Sequence, residues 1–202
     1  MKSSTILFLT ISLLVFKLCY SQNIDKLTEY QNDNLIKEIG IGLVQQIDVN
    51  EEITLYGDIN CKKTKIKNAK IGKDIIPLLN KTDYSILFFV CVEKNSKYYK
   101  IVTSIGKYAY IKPSDKFIFY NWNEFLKDQV TSVESKNKRL NPLFNKINGK
   151  PIKFKNLQSD DEIEVIEIKE NWLNIRNATI NQDYWLKWKD GNKLLIYLNL
   201  LM

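Results

Sequence analysis

The feature that most constrains the fold of this chain is an internal repeat. The segment LYGDINCKKTKIKN at 55–68 returns as LFNKINGKPIKFKN at 143–156, with seven of fourteen positions identical. Three further blocks match in the same order: 92–102 with 166–176, 110–112 with 185–187, and 116–120 with 193–197. Ordered matches of this kind indicate a duplication, so we expect both copies to form the same structural unit.

Each copy consists of short apolar stretches between turn residues. In the second copy the turn clusters are NGKP at 148–151, KEN at 169–171 and KDGNK at 189–193. The alternation of apolar residues slips once between Val165 and Ile166, which predicts a β-bulge. Short strands in a segment of roughly sixty residues bury little as a flat open sheet. The sequence therefore predicts a mainly β fold of two small five-stranded barrels.

The second copy also resembles a known family. NWLNIR at 171–176, followed by YWLKWKDGNKLLIY at 184–197, resembles the bacterial SH3-like domain family, in which a tryptophan-bearing strand precedes a strand with a glycine–tryptophan pair. Here Trp172 is the first tryptophan and Tyr184 replaces the glycine, while Tyr98 and Tyr110 replace both tryptophans in the first copy. The resemblance implies tandem SH3-like barrels at 50–120 and 141–202, in an exported protein that binds wall material or peptides without catalysis.

The segment between the copies, 121–140, has apolar residues at three- and four-residue steps, which is typical of an amphipathic helix. Asn121 and Glu124 have the spacing of a capping box. We expect a linker helix that packs on a barrel and fixes the two domains, with a partner-binding helix as the alternative. The apolar positions are Trp122, Phe125, Leu126, Val130 and Val133.

The first 21 residues have the pattern of a signal peptide. Lys2 precedes an apolar run at 6–16, and small or neutral residues follow at Cys19 and Ser21. The run is shorter than the roughly twenty residues of a spanning helix, so no stable membrane span is expected. We predict export to the periplasm or the extracellular space. Residues 22–49 are predicted to be an N-terminal arm, partly helix or strand.

Several kinds of chemistry are not expected. The chain has no histidine, which removes Ser-His and Cys-His nucleophile arrangements and imidazole metal ligands. The acidic segment 159–167 lacks the glycine turn and ligand spacing of a calcium loop. The net charge of +7 comes almost wholly from lysine, because Arg139 and Arg176 are the only arginines, and this disfavours nucleic-acid recognition. We expect no enzyme activity, metal or cofactor.

The candidate ligand groove consists of aromatic residues. Alternation in YWLKW places Trp185 on one strand face and Tyr184 and Trp188 on the other, so at least one of these groups belongs to the core. Cys61 and Cys91 permit a disulfide in an exported chain, although Cys91 also fits a buried apolar position. The candidate groove residues are Trp172, Tyr184, Trp185, Trp188, Tyr98 and Tyr110.

Together these patterns predict a non-catalytic binding module. Its partner is expected to be cell-envelope material, either wall peptide or glycan, or an extended peptide of a partner protein. The alternative is a structural subunit of an envelope protein complex that has no small ligand. The lysines at 62, 63, 65, 67 and 70 attract an anionic polymer or form a solvated surface.

Overall fold

The computed structural model describes residues 30–152 and 163–200. The prediction of a mainly β fold is confirmed, since 46% of the structure is strand and 9% is helical. The predicted signal peptide at 1–21, the first part of the N-terminal arm and the first four residues of the acidic segment 159–167 lie outside the described residues.

The first half forms an eight-stranded sheet. Its strand order is β3-β2-β7-β6-β5-β1-β8, and β4 also pairs with β5. All pairings are antiparallel. The strands are β1 Gly42–Gln46, β2 Leu55–Tyr56, β3 Thr64–Ile66, β4 Leu79–Lys81, β5 Ile86–Lys94, β6 Tyr99–Ser104, β7 Lys107–Ile111 and β8 Phe117–Asn121.

The second half forms three smaller antiparallel sheets. Their orders are β10-β11-β12, β13-β14 and β15-β9. The strands are β9 Ser132–Ser135, β10 Ile163–Lys169, β11 Trp172–Asn177, β12 Gln182–Lys187, β13 Lys189–Asp190, β14 Lys193–Leu194 and β15 Ile196–Asn199. Among the described residues no sheet closes into a barrel, so the two predicted five-stranded barrels are not confirmed.

Helices are short. Helix α1 is Asp33–Ile36, a 3-10 turn is Thr82–Tyr84, and α2 is Trp122–Glu124, which continues as a π-helical turn at Phe125–Gln129. The capping box at Asn121 and Glu124 is present.

The predicted linker helix over 121–140 is too long, because residues 132–135 form β9. The β-branched Val130, Thr131 and Val133 favour an extended chain, and β15 pairs with the backbone from Thr131 onward.

The two halves share one strand-pairing pattern. Cys91 pairs with Ile101, and a bulge follows before Glu93 pairs with Lys100. In the second half Val165 pairs with Ile175, and a bulge follows before Glu167 pairs with Asn174. The bulge predicted at 165–166 is therefore confirmed, and a matching one lies at the aligned place in β5. The next pairing also matches: Lys100 faces Tyr110 as Asn174 faces Trp185.

The side chains of β5 are buried on both faces of the large sheet. Leu87, Phe89 and Cys91 belong to a cluster on one face that is built from the first half alone. Ile86, Phe88 and Val90 belong to a second cluster, which also contains the inner side chains of the second half. The second half thus completes its core on the back of the first sheet. Its inner side chains are Ile163, Leu173, Ile175, Tyr184, Leu186, Trp188, Leu194, Ile196 and Leu198.

The segment α2 with the π-helical turn lies at this junction. The ring of Phe125 contacts that of Phe88 at 5.2 Å between centroids, and the ring of Trp122 contacts that of Trp188 at 5.2 Å. The indole nitrogen of Trp122 donates to the carbonyl of Ile39 at 2.8 Å. Each of these aromatic side chains is at most 8% exposed, so the segment joins the halves through buried contacts.

Entry of the chain into β1 requires a glycine. Gly40 has φ of +56°, and a Cβ there would lie 2.1 Å from the carbonyl oxygen of Cys91. The next residue, Ile41, donates its N–H to that same oxygen at 2.8 Å. Because a side chain would both strain the backbone and prevent this approach, Gly40 sets the position of β1 beside β5.

Candidate functional site

Three aromatic side chains form a cluster on the outer side of the β10-β11-β12 sheet, and we call Phe144, Trp172 and Trp185 the second aromatic face. The backbone of Phe144 pairs with that of Trp185 through two 2.8 Å hydrogen bonds. The ring of Phe144 meets that of Trp172 edge-on, with 5.2 Å between centroids and 88° between planes. All three side chains are half-buried, so part of each ring reaches the surface.

Polar groups border the second aromatic face. The ammonium of Lys169 lies 5.4 Å from the ring centre of Trp185, within the range of a cation–π contact. Asn174 lies opposite Trp185 across the strand pair. Its side-chain oxygen is buried and has no hydrogen-bond partner among the described residues. Lys169 is also paired with Glu167 at 2.9 Å, so this face is apolar ring surface with a charge-balanced polar border.

The first half carries an equivalent cluster, the first aromatic face, at Tyr56, Tyr98 and Tyr110. Tyr56 pairs with Tyr110 through the backbone, as Phe144 pairs with Trp185. The rings of Tyr98 and Tyr110 meet edge-on at 5.2 Å and 88°. Tyr98 is only 6% exposed, whereas Tyr56 and Tyr110 are half-buried, so the first face is less open than the second.

The hydroxyl of Tyr98 donates a hydrogen bond to the carboxylate of Glu93, which also lies 3.7 Å from the ammonium of Lys100. This hydrogen bond, together with burial, raises the pKa of Tyr98 to about 12. The phenol consequently stays neutral at ordinary pH and fixes the ring at one end of the first aromatic face.

Two predicted groove residues belong to the core instead. Tyr184 is 3% exposed and Trp188 is 2% exposed. The hydroxyl of Tyr184 donates to the side chain of Gln182, and the indole nitrogen of Trp188 donates to the carbonyl of Glu170 at 3.0 Å. The alternation within YWLKW is thus confirmed, because Trp185 faces outward while Tyr184 and Trp188 face inward.

Tyr56 and Phe144 belong to the two aromatic faces but are not among the groove residues predicted from the sequence. Both occupy the same position in the two aligned segments 55–68 and 143–156, where aromatic character is kept although the residue differs. That agreement is a signal in the sequence. It carries no information on which strand the residue pairs with, so it does not place either ring beside Tyr110 or Trp185.

Cys61 and Cys91 are free thiols, so the disulfide that the sequence permits is not formed in this structure. The thiol of Cys91 lies in the core of the first half and donates to the carbonyl of Glu93 at 3.3 Å. Burial raises its pKa to about 12. Cys61 lies in a half-buried turn with φ of +50°, and its thiol approaches the carbonyl of Lys97 instead. The two side chains therefore have separate environments.

Within 30–152 and 163–200 no helix is long and apolar enough to cross a membrane, and no group of three or more acidic or cysteine side chains is placed to hold a metal ion. No family model matches the chain, and neither a curated protein nor a solved structure shows significant similarity to it.

Proposed function

We propose that this chain is an exported, non-catalytic binding protein that recognises cell-envelope material, either wall glycan or wall peptide, through its aromatic faces. The observation that carries the proposal is the second aromatic face, where three partly exposed rings adjoin the ammonium of Lys169. Flat rings stack on sugar rings or hold apolar peptide side chains.

We also propose that the two halves are divergent SH3-like units that arose by duplication. The common bulge, the common register and the equivalent pairing of Tyr56 and Phe144 support this. In both halves the strand that carries the bulge (β5 or β10) is followed by β6 or β11, and then by the hairpin partner β7 or β12. A closing strand comes next, and the family resemblance implies this order. The second unit differs in completing its core on the first, which keeps the two faces in a fixed relation.

The lysines beside both faces are paired with carboxylates. Lys100 lies 3.7 Å from Glu93 on the first unit, and Lys187 lies 3.1 Å from Asp190 on the second, so neither supplies a free positive charge. The excess of lysine over acidic residues gives a general attraction to anionic polymers, which speeds encounter more than it strengthens the final complex. Selectivity for the ligand is then assigned to the rings.

The test is co-sedimentation of the purified protein with purified peptidoglycan, followed by calorimetry with soluble wall fragments. Trp185→Ala is expected to weaken binding roughly tenfold, on the scale of the about 1–3 kcal/mol that an aromatic ring contributes when it stacks on a nucleic-acid base. Tyr110→Ala tests the first face in the same way. The matched control is Tyr84→Ala, since Tyr84 is 56% exposed and belongs to neither face.

Binding that is unchanged by Trp185→Ala and Tyr110→Ala would contradict the proposal. A protein that ignores the polymer and runs as a stable complex with another envelope protein would instead favour the assembly-subunit alternative. High salt separates the two contributions, because it screens the lysines and leaves ring stacking largely intact.

A further inference from the structure

A cavity of about 750 Å³ opens between the two halves. One wall is the segment around α1, and the other is Lys136 with the β13–β14 hairpin and β15. The lining contains no member of either aromatic face, so this junction cavity is separate from the site proposed above. Its volume lies within the roughly 300–1,000 Å³ that is usual for small-molecule sites.

Fixed contacts hold the two walls together. The side-chain amide of Gln31 donates to the carbonyl of Ile196 at 3.1 Å and accepts from the N–H of Leu198 at 2.9 Å. An ion pair between Asp33 and Lys136 joins the walls a second time, and both side chains are about one-fifth exposed. These contacts hold the two walls in place without a ligand, which lowers the entropy cost of ordering them when a ligand binds.

The charges in the cavity do not cancel. Asp33 is neutralised by Lys136, and Asp190 is paired with Lys187 at 3.1 Å. Lys37 and Lys193 also line the cavity, and neither has an acidic partner within the described ranges. Two unpaired ammonium groups in a concave site concentrate positive potential there, so the cavity favours an anion.

The lining also offers an apolar surface. The ring of Tyr197 is 47% exposed, and Leu194 behind it is 1% exposed. The amide side chains of Asn34 and Asn192 add neutral donors and acceptors. A hydrated inorganic ion would use the ammonium groups alone, whereas an organic anion would use the ring as well.

We propose that the junction cavity binds a small organic anion. Lys37 and Lys193 hold its carboxylate or phosphate group, and Tyr197 contacts its ring or apolar body. Because residues of both halves line the cavity, the occupied site stabilises the docked arrangement of the two units.

The test is a titration of the ¹⁵N-labelled full chain, followed by backbone amide chemical shifts. The probes are phenyl phosphate and benzoate, which separate the two head groups, and inorganic phosphate, which has no organic body. We expect saturable shifts at Asn34, Lys193 and Tyr197 with at least one organic probe, and weaker binding of inorganic phosphate.

Lys37→Gln and Lys193→Gln should each weaken binding of the organic probe roughly two- to fivefold, as expected for one partly exposed charge contact. Lys107→Gln is the matched control, because Lys107 is exposed and lies outside the cavity. Three results would each overturn the proposal. The first is that neither organic probe causes a saturable shift at the cavity. The second is that inorganic phosphate binds as tightly as the organic probe, and the third is that Lys107→Gln weakens binding as much as the two cavity variants do.

Discussion

The side-chain oxygen of Gln31 accepts a 2.9 Å hydrogen bond from the backbone N–H of Leu198, which lies 167 residues further along the chain. The same amide donates to Ile196 of β15, while the backbone of Gln31 bridges to Leu79 of β4. Gln31 therefore satisfies the free edge of β15 as a neighbouring strand would. A single residue links the sheet of the first half to the last strand of the second.

Replacing Gln31 by alanine should lower the free energy of unfolding by about 1–3 kcal/mol, since two peptide groups of β15 would lose their partner in a buried place. Urea denaturation followed by tryptophan fluorescence measures this. Ser96→Ala is the control, because Ser96 is an exposed turn residue. Equal midpoints for Gln31→Ala and Ser96→Ala would show that the contact is not made in solution.

The two tryptophans of YWLKW should differ sharply when replaced. Trp188→Ala removes a buried indole that contacts Trp122 and donates to Glu170, so a loss of about 3–5 kcal/mol is expected. Trp185→Ala removes a half-buried ring from the second aromatic face and should cost less than about 2 kcal/mol. Thermal unfolding of the two variants compares them directly. A greater loss in Trp185→Ala would reverse the assignment of the strand faces.

The two described thiols should differ in reactivity. Burial raises the pKa of Cys91 to about 12, so its thiolate is scarce at pH 8 and its side chain is shielded from reagents. In a Cys19→Ser background, a disulfide-exchange reagent should titrate one thiol, Cys61, in the native protein and both in urea. Mass analysis of the labelled peptides identifies the site. Failure to find two thiols after unfolding without reductant would instead establish a disulfide.

Stability should fall at alkaline pH. Burial raises the pKa of Tyr30 to about 12, and the hydrogen bond to Glu93 raises that of Tyr98 to about 12, from an unfolded value of 10.0. A group whose pKa is higher in the folded state contributes stability that is fully present below pH 10 and lost as pH rises toward 12.

Urea midpoints measured between pH 8 and pH 12 should therefore fall most steeply above pH 10. The slope should be shallower in Tyr30→Phe and Tyr98→Phe, while Tyr84→Phe should match the parent chain because Tyr84 is an exposed ring. An identical slope in all four proteins would contradict the assignment of these two phenols.

Local patterns in the sequence predict much of the secondary structure because they depend on near neighbours. The capping box at Asn121, the bulge after Val165 and the tight turn through Glu170 all follow from residues within a few positions of each other. The repeat likewise predicts that β6 and β11 occupy equivalent places. These features need no information about distant segments.

Features that depend on distant segments could not be predicted. Val130 and Val133 have helical spacing and are buried as expected, yet Val133 lies in β9 because β15 is available to pair with it. The packing of the second half on the back of the first sheet likewise requires knowing that β5 is apolar on both faces. The sequence shows that β5 is apolar, but not which segment covers each side.

The central claim is that the second half completes its core on the first sheet, and native-state hydrogen exchange tests it most directly. Ile175→Val trims the second half within the shared cluster and should cost about 1 kcal/mol. The amides of Val90 in β5 and Leu186 in β12 are expected to exchange slowly, because both residues are buried within strands. Both should lose protection by that same amount, because the halves unfold as one unit. Loss of protection at Leu186 with no change at Val90 would contradict the claim and show that the halves unfold separately.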